Sequence, residues 1–228
     1  MSTALPEDTP ALREALVAEV RELSRLGLNR GSTGNASLRC TRGGESGFLV
    51  TATGLGAEQG ADDLVWMSAD GTQRRGRLAP SSEWPFHAAI LATRPDLNAV
   101  LHTHSPHATA VACLRERLPA FHYMVAIAGG DDVPLVDYHL FGTEALSQAV
   151  AAAFATRNAA LLSNHGLVAA GRDFAQAHKV LAEVEALCGI WLAARAVGAP
   201  ALLDAAQMAA VIEKFRTYGQ SQPGTASG

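Results

Sequence analysis

The chain has 228 residues, 48% of them hydrophobic, and a formal charge of −4. That length supplies a sizeable core, and the slight acidity excludes the basic field of a nucleic-acid binder. No apolar run of about 18 residues is present to cross a bilayer.

No shift in composition divides the chain, so one domain over residues 1–228 is expected, with loose tails at 1–8 and 219–228. Cys40, Cys113 and Cys188 lie far apart and none belongs to a C-x-x-C pair. That suits reduced thiols. The N-terminus also lacks the charged and apolar regions of a signal peptide, so a cytoplasmic protein is expected.

In chain order, Thr9 is placed to N-cap a helix with Pro10 at its first position. Leu12, Leu16, Val20 and Leu23 mark its apolar face and Gly27 its end. Strands are expected over Ala36 to Cys40 and Phe48 to Thr51, joined at Gly43-Gly44, and over Leu64 to Ser68 before an Asp70-Gly71 turn. Arg74-Arg75-Gly76-Arg77 reads as a solvated loop. Ser81 and Ser82 would cap a helix over 83–93, and a strand would follow through His102 and His104. Ser105, with Pro106 behind it, would cap the next helix. Val133 to Tyr138 reads as a short strand, and Thr143 caps an alanine-rich helix to Phe154. Ala159 to Ser163 is a buried strand that Leu167 to Ala170 continue past Asn164-His165-Gly166. Asp173 starts a long helix to Val197, and Asp204 with Gln207 forms a capping box for a last helix ending near Tyr218. Such alternation, with frequent hairpins, predicts an α/β protein whose mixed or antiparallel sheet is covered by helices.

The chemistry centres on His102-Thr103-His104. On a strand, positions i and i+2 face the same way, so two imidazoles project together. Zinc takes neutral histidine nitrogens and wants a third protein ligand with one open position when it does chemistry. His165, in a polar turn after an apolar run, is the third candidate. Residue types alone leave manganese and cobalt open beside zinc. Glu83, at the start of a helix, is the candidate base or fourth ligand. Ser81 and Ser82 add hydroxyls at that helix start, a place suited to phosphate. Gly31 to Asn35 and Thr51 to Gly54 add two loops able to wrap an anion. His87, His107, His122, His139 and His178 read as structural or supporting.

Gly34-Asn35-Ala36-Ser37, Thr51-Ala52-Thr53-Gly54, Pro80-Ser81-Ser82-Glu83-Trp84, His102-Thr103-His104, Phe121-His122-Tyr123-Met124 and Asn164-His165-Gly166 fall in one order and spacing. In this the chain resembles the class II aldolase/adducin family over nearly its whole length, and within it the aldolase branch acting on L-fuculose 1-phosphate. The resemblance implies a three-layer α/β/α fold with a mainly antiparallel central sheet, and a homotetramer with active sites at subunit interfaces. It implies zinc held by His102, His104 and His165, with Glu83 as a resting ligand that the substrate displaces. Phosphate would lie against Gly34, Asn35, Thr53, Gly54, Ser81 and Ser82, with Ser32 close by. Tyr123 of a neighbouring subunit would handle the proton on the aldehyde side, and Tyr218 would help close the site.

The implied reaction is cleavage of a ketose 1-phosphate (L-fuculose 1-phosphate or a 5-deoxypentulose 1-phosphate) to dihydroxyacetone phosphate and a short aldehyde. Pentulose-phosphate 4-epimerases, sugar-acid phosphate decarboxylases and methylthioribulose-phosphate dehydratases share the histidines and form the alternative. A non-catalytic adducin-like module would lack them. Ala52 replaces a common Pro, and Thr103 stands where Asn is frequent.

Overall fold

The computed structural model describes residues 4–217. Helix α1 (Pro10–Arg25) leads into the hairpin β1 (Asn35–Arg42) and β2 (Glu45–Val50), then β3 (Val65–Ser68) and a two-residue β4 (Arg74–Arg75). Helix α2 (Trp84–Thr93), strand β5 (Ala99–Thr103) and helix α3 (Pro106–Cys113) follow. After a 3₁₀ segment, Tyr123–Ala128, come β6 (Leu135–Val136), α4 (Glu144–Phe154), β7 (Ala159–Leu162) and β8 (Gly166–Gly171). The long α5 (Phe174–Val197) and α6 (Ala205–Thr217) complete the described chain.

The eight strands form one sheet in the order β4-β3-β2-β1-β5-β8-β7-β6. Every pairing is antiparallel except β6 with β7. Side-chain alternation sorts the sheet's two faces into two cores. Leu49, Trp66, Leu101, Leu161, Leu167 and Ala169 pack on one side with Leu16 of α1, Val111 of α3 and Val180 of α5. Val50, Val65, Val100, Leu162, Val168 and Ala170 pack on the other with Phe86 of α2 and Val150 of α4. The result is a three-layer α/β/α sandwich with a mainly antiparallel centre.

Several caps read from sequence are formed. Thr9, Thr143 and Asp173 accept from the backbone of Leu12, Leu146 and Gln176. Asp204 and Gln207 exchange reciprocal bonds of 2.9 and 2.8 Å.

Other expectations need correction. Residues 159–170 are not one strand: the chain reverses after Leu162, and β7 and β8 pair as a hairpin. Asn164 makes that turn possible by taking φ 55°, a left-handed conformation that Asn tolerates better than most residues. Arg74 and Arg75 are an edge strand rather than a loop, with Arg75 5.2 Å from the centre of the Trp66 ring. Ser105 occupies the cap position of α3 without capping it. Glu185 of α5 does so instead, accepting from the amides of His107 and Ala108 at 2.9 and 2.8 Å.

The expected tail over residues 1–8 is tied down from Pro6 onward. Pro6 and Asp8 exchange backbone bonds with Thr41, and the Asp8 side chain is only 3% exposed between Arg13 and Arg42. Asp8→Ala leaves two guanidinium groups short of their acceptor. It should cost about 2 kcal/mol of stability, measured as a lower urea midpoint. An unchanged midpoint would mean that this segment contributes nothing to the fold.

Candidate metal and anion site

Strand register assembles the site. Asn35 of β1 stands directly opposite His102 of β5, so the two side chains share one face as cross-strand neighbours. His102 also stands opposite Val168 of β8. That pairing carries the preceding turn, and His165 with it, to the same end of the sheet. The strand stops at Thr103, so His104 reaches the cluster from the first position beyond it.

The three imidazoles form a triangle. Their ring centroids are 5.0, 4.8 and 4.9 Å apart and the planes are steeply inclined to one another. The candidate ligand atoms all lie within 4.8 Å of each other. His102 is fully buried, and its Nδ1 lies 3.0 Å from the Leu167 carbonyl. A carbonyl only accepts, so Nδ1 carries the proton and the Nε2 lone pair points into the triangle. Burial pushes the His102 ring down to about 3, and it also lowers the values of His104 and His165. Neutral rings are the form that ligates metal.

Glu83 closes the triangle. It occupies the N-cap position of α2 with φ −97° and ψ 5°, in the sparsely populated bridge region where active-site residues often sit. Helix α2 therefore begins at Trp84, and Ser81 and Ser82 are not its caps. Ser81 instead accepts from the Glu83 amide at 3.3 Å. The Glu83 carboxylate, 7% exposed, turns away from the helix end. Its Oε2 is 3.3 Å from His102 Nε2 and its Oε1 is 3.4 Å from His165 Nε2. Oε1 is buried without a hydrogen-bond partner.

Lone pairs of His102 and Glu83 thus face each other at short range with an orphaned oxygen beside them. Electron-rich atoms held this way call for a cation. The donor set, three neutral nitrogens and one carboxylate oxygen, fits a divalent metal.

A cavity of about 260 Å³ opens beside the triad. Every residue expected to meet phosphate lines it: Ser32, Gly34, Asn35, Thr53, Gly54, Ser81 and Ser82, together with Glu83, His104 and His165. Two backbone bonds gather the loops, Ser81 N to Thr51 O at 2.9 Å and Thr53 N to Ala79 O at 3.1 Å. Gly34 has φ 73°, and a Cβ there would fall 2.2 Å from Asn29 Nδ2 and 2.6 Å from the His102 carbonyl. No other residue type fits that bend without displacing Asn29 or the backbone of β5 at His102.

Tyr123 stands apart. It is half exposed and lines a second groove with Phe215 of α6, and it is not among the residues lining the triad cavity. Tyr218 lies outside the described residues. Phe141, which sequence reasoning missed, lines the triad cavity. His87, read as structural or supporting and one helical turn from Glu83, touches Asn35. His107 and His178 pair with Glu185 and Glu19 at 2.9 and 2.7 Å, away from the cluster.

Comparisons with known proteins concern these same residues. The family described as Class II Aldolase and Adducin N-terminal domain matches residues 14–192. The chain is 44% identical over 218 residues to the 5-methylthioribulose-1-phosphate/5-deoxyribulose-1-phosphate aldolase of Rhodospirillum rubrum, covering 95% of this chain and 96% of that one. It is 41% identical over 210 residues to the L-fuculose phosphate aldolase of Escherichia coli K12, covering 91% and 95%. Among solved structures, an L-fuculose 1-phosphate aldolase superposes with a TM-score of 0.86 at 35% identity, over 91% of this chain and 97% of that one.

The buried His87 ring sets a pH dependence. Desolvation lowers it from 6.5 to about 3. Between those values the unfolded chain binds a proton that the fold refuses, so stability falls as pH falls through that window. The slope from this ring is about 1.4 kcal/mol per pH unit. Urea titrations of metal-free protein should show the midpoint dropping below about pH 6.5, with a shallower drop in His87→Gln. Equal slopes would remove His87 from that account.

Proposed function

The chain belongs to the class II aldolase and adducin family, and from that premise we propose that it is a metal-dependent aldolase. It would cleave a ketose 1-phosphate reversibly to dihydroxyacetone phosphate and a short aldehyde. The observation that carries this reading is the junction, in one cavity, of a three-histidine cluster, a buried carboxylate and a cradle of hydroxyl and backbone donors.

The roles follow from the chemistry of the bond to be broken. His102, His104 and His165 hold the metal, with Glu83 as a fourth ligand before substrate enters. A divalent ion bound there supplies Lewis-acid stabilisation of negative charge developing on substrate oxygens. Zinc is the ion proposed, on the strength of the nitrogen-rich set. Ser32, Gly34, Asn35, Thr53, Gly54, Ser81 and Ser82 anchor the phosphate, fixing the carbonyl carbon next to the triad. As the C3–C4 bond breaks, the C4 hydroxyl gives up its proton and its oxygen becomes the aldehyde carbonyl. The electron pair stays on the three-carbon fragment, whose C3 carbon takes a proton from Glu83, itself protonated from solvent once substrate has displaced it.

In this proposal Tyr123 of a neighbouring copy relays the C4 hydroxyl proton, its phenol oxygen accepting that proton as it passes its own to solvent. Its exposure, and its place outside the cavity of its own chain, support a site completed across a homotetramer interface. Tyr218 is assigned to closure over the aldehyde. Cys40, Cys113 and Cys188 are all free thiols, in keeping with a cytoplasmic enzyme. Relatives of similar identity are named for fuculose phosphate and for 5-deoxyribulose or 5-methylthioribulose 1-phosphate. Both substrate types therefore enter the test.

Zinc-loaded protein is given L-fuculose 1-phosphate, 5-deoxyribulose 1-phosphate and L-ribulose 5-phosphate in parallel, with dihydroxyacetone phosphate release followed by a coupled enzyme. Release from a 1-phosphate should vanish with chelator and fall by about 10²-fold or more in Glu83→Gln. Conversion of ribulose 5-phosphate to its epimer, with no release from either 1-phosphate, would replace the aldolase by a sister chemistry.

A further inference from the structure

His87 has no part in the reaction as proposed, yet it is fully buried in α2, one turn past Glu83, with its ring stacked on Phe86. Both of its nitrogens are engaged. Nδ1 lies 2.8 Å from Ser37 Oγ, and Nε2 meets Asn35 Oδ1. A neutral imidazole has one N–H and one lone pair, so the polarity of these contacts depends on what surrounds them.

The Glu83 carboxylate fixes that polarity from outside. Asn35 Nδ2 lies 2.8 Å from Glu83 Oε2. A carboxylate only accepts, so the Asn35 amide must turn its NH₂ toward Glu83 and its carbonyl toward His87. The carbonyl also only accepts, so Nε2 of His87 carries the proton. Nδ1 is then an acceptor, and the Ser37 hydroxyl donates to it. Donation runs one way, from Ser37 through His87 and Asn35 to Glu83.

We propose that His87 is a positioning residue: its Nε2–H locks the Asn35 amide in the orientation that serves Glu83 with one N–H and an incoming phosphate with the other. Asn35 lines the cavity beside Ser81 and Gly34, and the inference rests on the phosphate cradle proposed above. An amide and its flipped form have nearly the same shape, so packing alone does not choose between them; the hydrogen-bond partners do. A flipped Asn35 would point its oxygen at a carboxylate and at an anion together. The device is written into two spacings, Asn35-x-Ser37 on one face of β1 and Glu83-x-x-x-His87 on one face of α2.

Zinc-loaded protein carrying ¹⁵N-histidine is first examined by long-range nitrogen–proton spectra, with the His87 signal assigned by its loss in His87→Gln. An Nε2–H pattern is expected; an Nδ1–H or doubly protonated ring would overturn the proposal. Calorimetry with inorganic phosphate follows on wild type, His87→Gln and His87→Leu, with zinc content measured alongside. His87→Leu should keep its zinc and bind phosphate about tenfold more weakly. His87→Gln, which offers an N–H in place of Nε2, should recover most of that loss. Wild-type affinity in His87→Leu would overturn the proposal, as would a zinc-replete His87→Gln no better than His87→Leu. If His87→Leu does not fold, the ring tautomer together with His87→Gln against wild type decides. Neither readout needs turnover, so failure of the aldolase reading and failure of this role are separately visible.

Discussion

The antiparallel pairing of β1, β5 and β8 at the centre of the sheet is the constraint on which the site depends. It sets Asn35 opposite His102, and His102 opposite Val168 three residues past His165. Side chains alternate with a period of two, so a slip of one residue would turn His102 to the α1/α5 core and Leu101 toward the cavity. The register is held by apolar packing on both faces: Leu101 and Leu167 beneath, Val100 and Val168 above. The same burial that stabilises the strands thus fixes the placement of the histidines, and it keeps their rings neutral.

Around that centre the polarity is divided. The triad and Glu83 present lone pairs, whereas the loops around the cavity bring the hydroxyl-bearing Ser32, Thr53, Ser81 and Ser82 and the Asn35 amide to it. Among the described residues, no Lys or Arg lines the cavity. An anion placed there would meet neutral donors, whose fixed dipoles need little reorganisation, with no cationic side chain beside it. Asn35 stands on the boundary between the two regions, with its amide bonded to Glu83 on one side and facing the cavity on the other.

The local signals in the sequence were strong where a single element decides the outcome. Thr9, Thr143, Asp173 and the Asp204–Gln207 box start helices as their residue types require. His102 and His104 are paired by spacing alone, and Asn164-His165-Gly166 marks its own turn. The failures lie where distant chain decides. Ser105 looks like a cap, but Glu185, eighty residues on, takes that task. Ser81 and Ser82 look like caps, but Pro85 and the bridge conformation of Glu83 start α2 later. The turn at Asn164-His165-Gly166 was visible, but the strands on either side are apolar throughout, so no alternation showed that β8 folds back on β7 rather than continuing it. His87 gave no sign beyond its spacing, since its partners come from β1, some fifty residues earlier in the chain.

The start of α2 carries one more consequence. A residue at an N-cap ordinarily satisfies a free amide of its helix, and replacing a good cap forfeits about 1 kcal/mol. Glu83 makes no such bond, and one of its oxygens is buried without a partner. The resting fold is therefore less stable than its own backbone would permit. A thermostability screen of metal-free protein with no filter for activity should drift at this position toward Glu83→Gln, whose side-chain N–H groups can meet the histidine lone pairs, emptying the cluster of its carboxylate.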